Sequence, residues 1–237
     1  MVVSPILRGM LGLSSDARTE TVTFSPHVPA DWSSFSIRNI RVGESRLNLT
    51  YTAKPGAITL ETECVGGAPC NILFKPAISL RAHVAAVTSG PAASHRAIPF
   101  HVTATDEDQH VEIQTKGSSK AVITIMLRDN IGIAYDSTLP PLGSSRQGLR
   151  IVSQTWSTTH DTLTLDVAGK AGCDYELGIF DSGKSLIQGQ SALGSVEGAD
   201  RIASKIGEEK IKIAFAAENS GDYAHRKIVL HFSNSRK

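Results

Sequence analysis

From Phe35 to Val42 the chain reads Phe-Ser-Ile-Arg-Asn-Ile-Arg-Val, with apolar and polar residues taking turns. A period of two sends successive side chains to opposite faces of an extended backbone, so one face is buried and the other is wet. A helix cannot use such a run, because its like-facing residues recur every three to four positions. The same text returns at Thr21-Val22-Thr23-Phe24, at Leu47-Asn48-Leu49-Thr50-Tyr51 and at Ile58-Thr59-Leu60-Glu61-Thr62. Gly43-Glu44 and Lys54-Pro55-Gly56 supply turns between them, and together these runs predict a meander of hairpins.

Ile72-Leu73-Phe74 opens a less regular stretch that runs to about Arg96. Val111-Glu112-Ile113 and the run 121–127 predict two more strands, hinged at Lys116-Gly117-Ser118-Ser119. The second run is apolar at nearly every position, the text of a strand buried on both faces. Residues 137–148 are rich in Ser, Pro and Gly and read as a long loop or linker. Beyond it, 149–156, 162–167, 175–180, 211–215 and 228–232 predict strands, with turns at 169–172 and 219–222. The expected fold class is all-β: an antiparallel β-sandwich over 16–237, dividing into two subdomains, if at all, over 137–148.

Only the start of the chain departs from this pattern. Residues 2–13 predict a helix. Ser4 is placed to cap it, Pro5 suits its first position, and Ile6, Leu7, Met10 and Leu11 form an apolar stripe at helical spacing. Gly12 and Ser14-Ser15-Asp16 end it. One short helix ahead of a long β text leaves that stripe without a helical partner in the chain. Its four apolar residues are the expected interface residues, and such a patch either recruits a partner or folds back onto the sandwich.

Charge excludes some partners. The chain of 237 residues carries 24 Lys and Arg against 23 Asp and Glu, a net charge of +1. Neither nucleic acid nor an acidic membrane surface is implied by that balance. No apolar run is long enough to span a bilayer. The apolar stretch near Met1 is short, interrupted by Arg8 and preceded by no basic segment, so no export signal is read and a cytoplasmic location is expected. Cys64 and Cys70 flank Val-Gly-Gly-Ala-Pro, a turn sequence, and are expected to face each other across a hairpin, either as a disulfide or as two reduced thiols. Cys173 stands alone. Neither the cysteines nor the eight histidines have zinc-site spacing, and no metal or cofactor is expected.

The sharpest motif fails on context. Gly178-Ile179-Phe180-Asp181-Ser182-Gly183-Lys184-Ser185 fits the phosphate-binding loop, which needs a strand ending before the first glycine and a long helix after the serine. Here a strand runs through Gly178, the segment after Ser185 is short and glycine-broken, and Asp181 would repel a phosphate. A β-turn at Asp181-Ser182-Gly183 accounts for the same residues. Glu61 and Glu63 share one strand face, and Asp106, Glu107 and Asp108 crowd a polar loop. Neither group has a neighbour that would separate two carboxyl pKa values as glycoside hydrolysis demands. His160-Asp161 reads as a turn, His225 and His231 flank the last strand, and no Gly-x-Ser-x-Gly elbow is present. No catalytic residue is assigned. Trp32, in a loop, and Trp156, at a strand end, are the candidates for stacking on a sugar ring, with packing as the alternative for each.

The text Leu7-Arg8-Gly9-Met10-Leu11-Gly12-Leu13, then Asp16-Ala17, then Phe24-Ser25-Pro26-His27-Val28-Pro29-Ala30-Asp31-Trp32 resembles a junction in bacterial glycogen-debranching-like glycoside hydrolases of the amylo-α-1,6-glucosidase type. There the last helix of an (α/α)6 barrel gives way to a β-domain. Residues 37–43 look like the next strand of that domain, and 195–199 and 223–232 are similar to its end. The proline that often precedes the junction aspartate is absent here. The resemblance implies that 1–15 is the end of a barrel helix and 16–237 the β-domain. It further implies a non-catalytic accessory role beside an (α/α)6 catalytic domain, in cis or in trans, with α-glucan as the substrate class. The family's catalytic carboxylates belong to the barrel, and no position here matches them. A carbohydrate-binding sandwich is the alternative expectation, and a stand-alone enzyme a remote one.

Overall fold

The chain divides between Asn130 and Ile131, ahead of the Ser/Pro/Gly-rich stretch. The computed structural model describes residues 3–66, 69–90, 96–116, 120–135, 141–144, 147–183, 186, 199–202, 208–216 and 223–233. The loop 137–148 is therefore described only in part, and the turn expected at 219–222 lies outside the described residues.

In the first unit the strands are β1 (Ser14–Asp16), β2 (Thr21–Phe24), β3 (Ser34–Val42), β4 (Ser45–Lys54), β5 (Ala57–Val65) and β6 (Asn71–Phe74). They continue with β7 (Ala77–Ile78), β8 (His83–Ser89), β9 (Arg96–Ala97), β10 (His101–Ala104), β11 (Gln109–Lys116) and β12 (Ala121–Arg128). One sheet runs β1-β2-β6-β11-β10, with β7 also on β11, and the other runs β3-β4-β5-β12-β8-β9. The strand pairs are antiparallel except β2 with β6. Val22, Phe24, Ile72, Phe74, Val111 and Ile113 of the first sheet meet Leu47, Leu49, Ile58, Leu60, Ile123 and Ile125 of the second in one buried cluster. The alternating text is thus the inner face of a sandwich.

Two strand expectations change. β11 and β12 are not hairpin partners: β11 pairs with β6 and β10, whereas β12 pairs with β5 and β8. Each needs its apolar side chains turned to the shared core, and crossing between sheets achieves that for both. β12 buries one face only. Ile123, Ile125 and Leu127 point inward while Met126 is 46 % exposed, so its continuous apolar text reflects an apolar outer face. β8 escapes a sequence reading because His-Val-Ala-Ala-Val-Thr-Ser carries small residues and little alternation. In β3 the phase of alternation slips between Ile37 and Ile40, where the register shifts against β4. Asn39 takes the left-handed φ of 58° there, and its N–H is held by the Asn48 side chain at 3.0 Å. The bulge absorbs one residue and keeps Ile40 and Val42 facing the core.

The second unit contains β13 (Ile131–Tyr135), β14 (Arg150–Trp156), β15 (Thr162–Lys170), β16 (Asp174–Asp181), β17 (Ala199–Ile202), β18 (Glu208–Ala214) and β19 (Tyr223–His231). Its sheets run β13-β16-β18-β17 and β14-β15-β19. Leu177, Ile179 and Ile213 of the first meet Leu163, Leu165, Val167, Ile228 and Leu230 of the second in a core of their own.

The helix is shorter and wider than its text predicts. α1 (Val3–Pro5) is one turn, and Ile6–Met10 continues it as a π-helical segment closed by Leu11 N–H on the Ile6 carbonyl at 3.0 Å. Ser4 does not cap this segment. Pro5 stands at its N-terminal end with no side-chain hydrogen bond. Gly12, at a φ of 52°, then turns the chain into β1, so residues 14–16 are a strand and the boundary placed after residue 15 cuts through it. Leu11 is buried, and Ile6, Leu7, Met10 and Leu13 pack against the core of the first unit. Of the two outcomes expected for the stripe, a partner or the sandwich itself, the structure shows it packed against the sandwich.

Candidate functional site

The loop from Ser25 to Ser33, joining β2 to β3, carries an exposed tryptophan, Trp32, beside a cluster of titratable groups. The loop is pinned along its first part. Ser25 N–H donates to the Leu11 carbonyl (3.2 Å), His27 N–H to the Met10 carbonyl (2.8 Å) and Ala77 N–H to the Pro26 carbonyl (3.0 Å). The Ser25 hydroxyl donates to the Lys75 carbonyl at 3.0 Å. Trp32 N–H then closes a turn on the Pro29 carbonyl at 3.0 Å.

Trp32 is 39 % exposed. Its ring meets Phe35 edge to face at 6.1 Å, and Phe35 stacks on Tyr51 at 5.0 Å. Phe24 touches both Phe35 and Tyr51 edge-on and stacks on Phe74 at 5.7 Å. Trp32 is therefore the wet end of an aromatic chain rooted in the core. Burial pushes the Tyr51 hydroxyl up to about 12, so it stays protonated. A tryptophan with a fixed inner edge and an open surface is the kind of group that stacks on the apolar face of a sugar.

His27 leads into a second feature of the same loop. Its Nδ1 lies 3.4 Å from Asp108 Oδ2, and His110 Nε2 lies 3.4 Å from Asp108 Oδ1. The Thr105 hydroxyl donates to Asp108 Oδ1 at 2.9 Å. Lys75 pairs with Glu112 at 2.7 Å, and the lysine contact holds the Glu112 carboxyl below its usual range. His101 faces Glu112 across the β10–β11 ladder. The sequence marks Asp108 only as a loop carboxylate. The histidines escape it because the pairing of β6, β7, β10 and β11, and the course of the loop after β2, bring them together from distant positions. No local spacing signals that. The cluster orients imidazoles around one carboxylate, and among the described residues no group of three His, Cys, Asp or Glu side chains is arranged to hold a metal.

A shallow cleft of about 510 Å3 lies where the π-helical segment meets β1 and β3, lined by Arg8, Gly12, Leu13, Ser14, Ser15, Ile40 and Arg41. The Arg41 Nε donates to the Gly43 carbonyl at 3.4 Å.

The remaining sequence candidates separate. Trp156 is half-buried against the second core, its ring 5.6 Å from Phe232 and 6.4 Å from His160, so it packs rather than presents a platform. Asp161 closes the turn after it, accepting from the Ser157 (2.9 Å) and Thr162 (3.0 Å) hydroxyls. Those bonds hold its carboxyl below the usual range. β16 runs straight through Gly178 to Asp181. Asp181 is buried and accepts the N–H groups of Gly183 and Leu186, both at 2.9 Å. That is a turn closed by a carboxylate, the opposite of an anion cradle; Lys184 and Ser185 lie outside the described residues. Glu61 and Glu63 are exposed on the outer face of β5. Cys64 and Cys70 are not bonded to each other, and their Sγ atoms lie 3.7 Å apart. They do not face each other across a hairpin, since β5 and β6 belong to opposite sheets. Ile6, Leu7, Met10 and Leu11 gather at the first core. Among the described residues no helix is long and apolar enough to cross a membrane.

No family model, curated protein or solved structure matches this chain.

Proposed function

We propose that this chain is a non-catalytic accessory domain of a glycoside hydrolase acting on α-glucans, with its N-terminal helical segment as the coupling to an (α/α)6 catalytic domain. The observation that carries this reading is how the end of that segment is built into the sandwich. The carbonyls of Leu7, Met10 and Leu11 accept the N–H groups of Leu13, His27 and Ser25 at 2.8, 2.8 and 3.2 Å, and Leu11 is buried in the core. A helix arriving from a catalytic domain would be held by these bonds at a fixed angle to the β-domain, as positioning an accessory domain at an active-site rim requires. The α-glucan class rests on the junction text at 7–13 and 24–32 alone.

The test is hydrolysis. Purified chain incubated with amylopectin or maltooligosaccharides is expected to release no reducing ends above the uncatalysed background. Turnover at ordinary enzyme rates, about 1 per second or faster, would overturn a non-catalytic role.

A second reading, a carbohydrate-binding sandwich, is favoured by one observation: Trp32 is exposed on a pinned loop and backed by Phe35. Titration calorimetry with maltoheptaose separates it from the first. Millimolar or tighter binding that disappears in Trp32→Ala and survives in Trp156→Phe supports direct glycan contact. No heat of binding leaves Trp32 as packing surface.

A further inference from the structure

We propose that Cys64 and Cys70 form a disulfide-closing site that takes a small-molecule disulfide as its oxidant and joins the two sheets of the first sandwich. The geometry favours this pair. The Sγ atoms are already in contact at 3.7 Å, and a bond of about 2.05 Å needs only a modest approach of two short side chains. Cys64 lies near the end of β5, and Cys70 just before β6. The connection between them carries the chain from one sheet to the other, so a bond here closes the seam of the sandwich at the point where the chain crosses it.

The two thiols differ in access, and that sets the order of events. Cys64 is half-buried, whereas Cys70 is 1 % exposed. A small disulfide RS–SR reaches Cys64 first. The Cys64 thiolate attacks one sulfur, a Cys64–S–S–R bond forms, and RS⁻ leaves with the electron pair of the broken S–S bond. The Cys70 thiolate, already against Cys64, then attacks the Cys64 sulfur, and the second RS⁻ leaves. The two thiol protons end on the two released RS⁻ groups. The protein loses two hydrogens and two electrons, and one RS–SR becomes two RSH. Burial, reinforced by the Cys64 contact, pushes the Cys70 thiol up to about 11, which makes the second step the slow one near neutral pH. Cys173 belongs to the second unit and takes no part.

The experiment uses the full chain, reduced and then exposed to excess oxidised glutathione. Thiols are counted in denaturant, and the intact mass is measured. The count is expected to fall from three to one while the mass drops by two hydrogens; a reductant restores both. No site for trypsin lies between Cys64 and Cys70, so the loss must map to one peptide containing both. Closure should quicken steadily between about pH 7 and pH 10, as the Cys70 thiolate becomes populated. Cys70→Ser is expected to stop at a glutathione adduct on Cys64. Should that buried substitution fail to fold, Cys64→Ser answers instead: its thiol count should stay at two. Accumulation of a stable adduct in the unsubstituted chain overturns the proposal. So does a bond involving Cys173, an unchanged count of three, or loss of thiols in folded Cys64→Ser.

Discussion

Gly169 lies in β15 where a methyl group has nowhere to go. A Cβ built on it would sit 2.4 Å from Phe215 Cε2 and 2.7 Å from both Phe215 Cδ2 and Tyr175 Cε2. Comfortable carbon contacts lie at about 3.5–4.0 Å, so Gly169→Ala asks one ring or both to retreat by about 1 Å. Neither can retreat freely. Phe215 is 4 % exposed in the second core. Tyr175 is tethered through its hydroxyl, which accepts Lys170 N–H at 2.9 Å and donates to the Gln147 carbonyl at 2.7 Å. Overpacking of this kind costs about 1–3 kcal/mol. Disturbing the edge-to-face contact between the two rings, now at 5.7 Å and 82°, adds about 0.5–1.5 kcal/mol. Replacing a strand glycine returns about 0.5–1 kcal/mol. The net expectation is a loss of about 2–3 kcal/mol, which lowers the melting temperature of a unit of this size by about 10–20 °C. Urea denaturation followed by Trp156 fluorescence in a Trp32→Phe background reads the second unit by itself. Phe215→Leu in the Gly169→Ala chain should cost less than the sum of the two single changes, because it opens the space the methyl needs. Stability within about 0.5 kcal/mol of the parent, or strict additivity in the double variant, would refute the clash.

Leu11→Ala removes a buried side chain from the first core and should cost about 2–5 kcal/mol in that unit, measured by Trp32 fluorescence in a Trp156→Phe background. Gly12→Ala should destabilise the same unit, since its Cβ would meet the Ser25 carbonyl oxygen at 2.6 Å and its φ is 52°; Gly9→Ala, with nothing within 4 Å, is the control and should not. Asp161 has its folded pKa depressed by hydroxyl hydrogen bonds, so its contribution is present above the ordinary carboxylate range and disappears as pH falls through the depressed value. Asp161→Ala should therefore be less stable than the parent at neutral pH and converge with it in acid, as pH-dependent melting would show; a gap constant with pH would count against the carboxylate.

Strand identity is legible wherever alternation is clean. Leu47, Leu49 and Tyr51 announce β4, and Tyr175 to Phe180 announce β16, because a half-buried strand writes its burial pattern directly into the text. Pairing is less legible. The turn at 116–119 looks like a hairpin, and only the demand of two sheets for one core separates β11 from β12. β8 is hidden because Ala85 and Ala86 blur its period. The helix is legible as a helix, but not its π geometry or its use: the stripe of Ile6, Leu7, Met10 and Leu11 reads the same whether it faces a partner or its own sandwich. Trp32 stands out because tryptophans are few. The cluster of His27, Asp108 and His110 does not, since the course of the loop after β2 brings His27 to the neighbouring Asp108 and His110 from a distant part of the chain. The thiol pair is legible for a reason the fold revises, a crossing between sheets in place of a hairpin.

The pairing of β15 with β19 sets the order in which the chain can fold as it is made. All nine residues of β15 find partners on β19, and Ile228, Leu230 and Phe232 fill the second core. Every described strand of the first unit has been synthesised by Arg128, so that sandwich can close while the rest of the chain is still in the ribosome. The second must wait for β19 with β14 and β15 already exposed, and its apolar inner faces stand open for the whole interval. Between Arg150 and Phe232 the growing chain is therefore exposed to aggregation until β19 has been made.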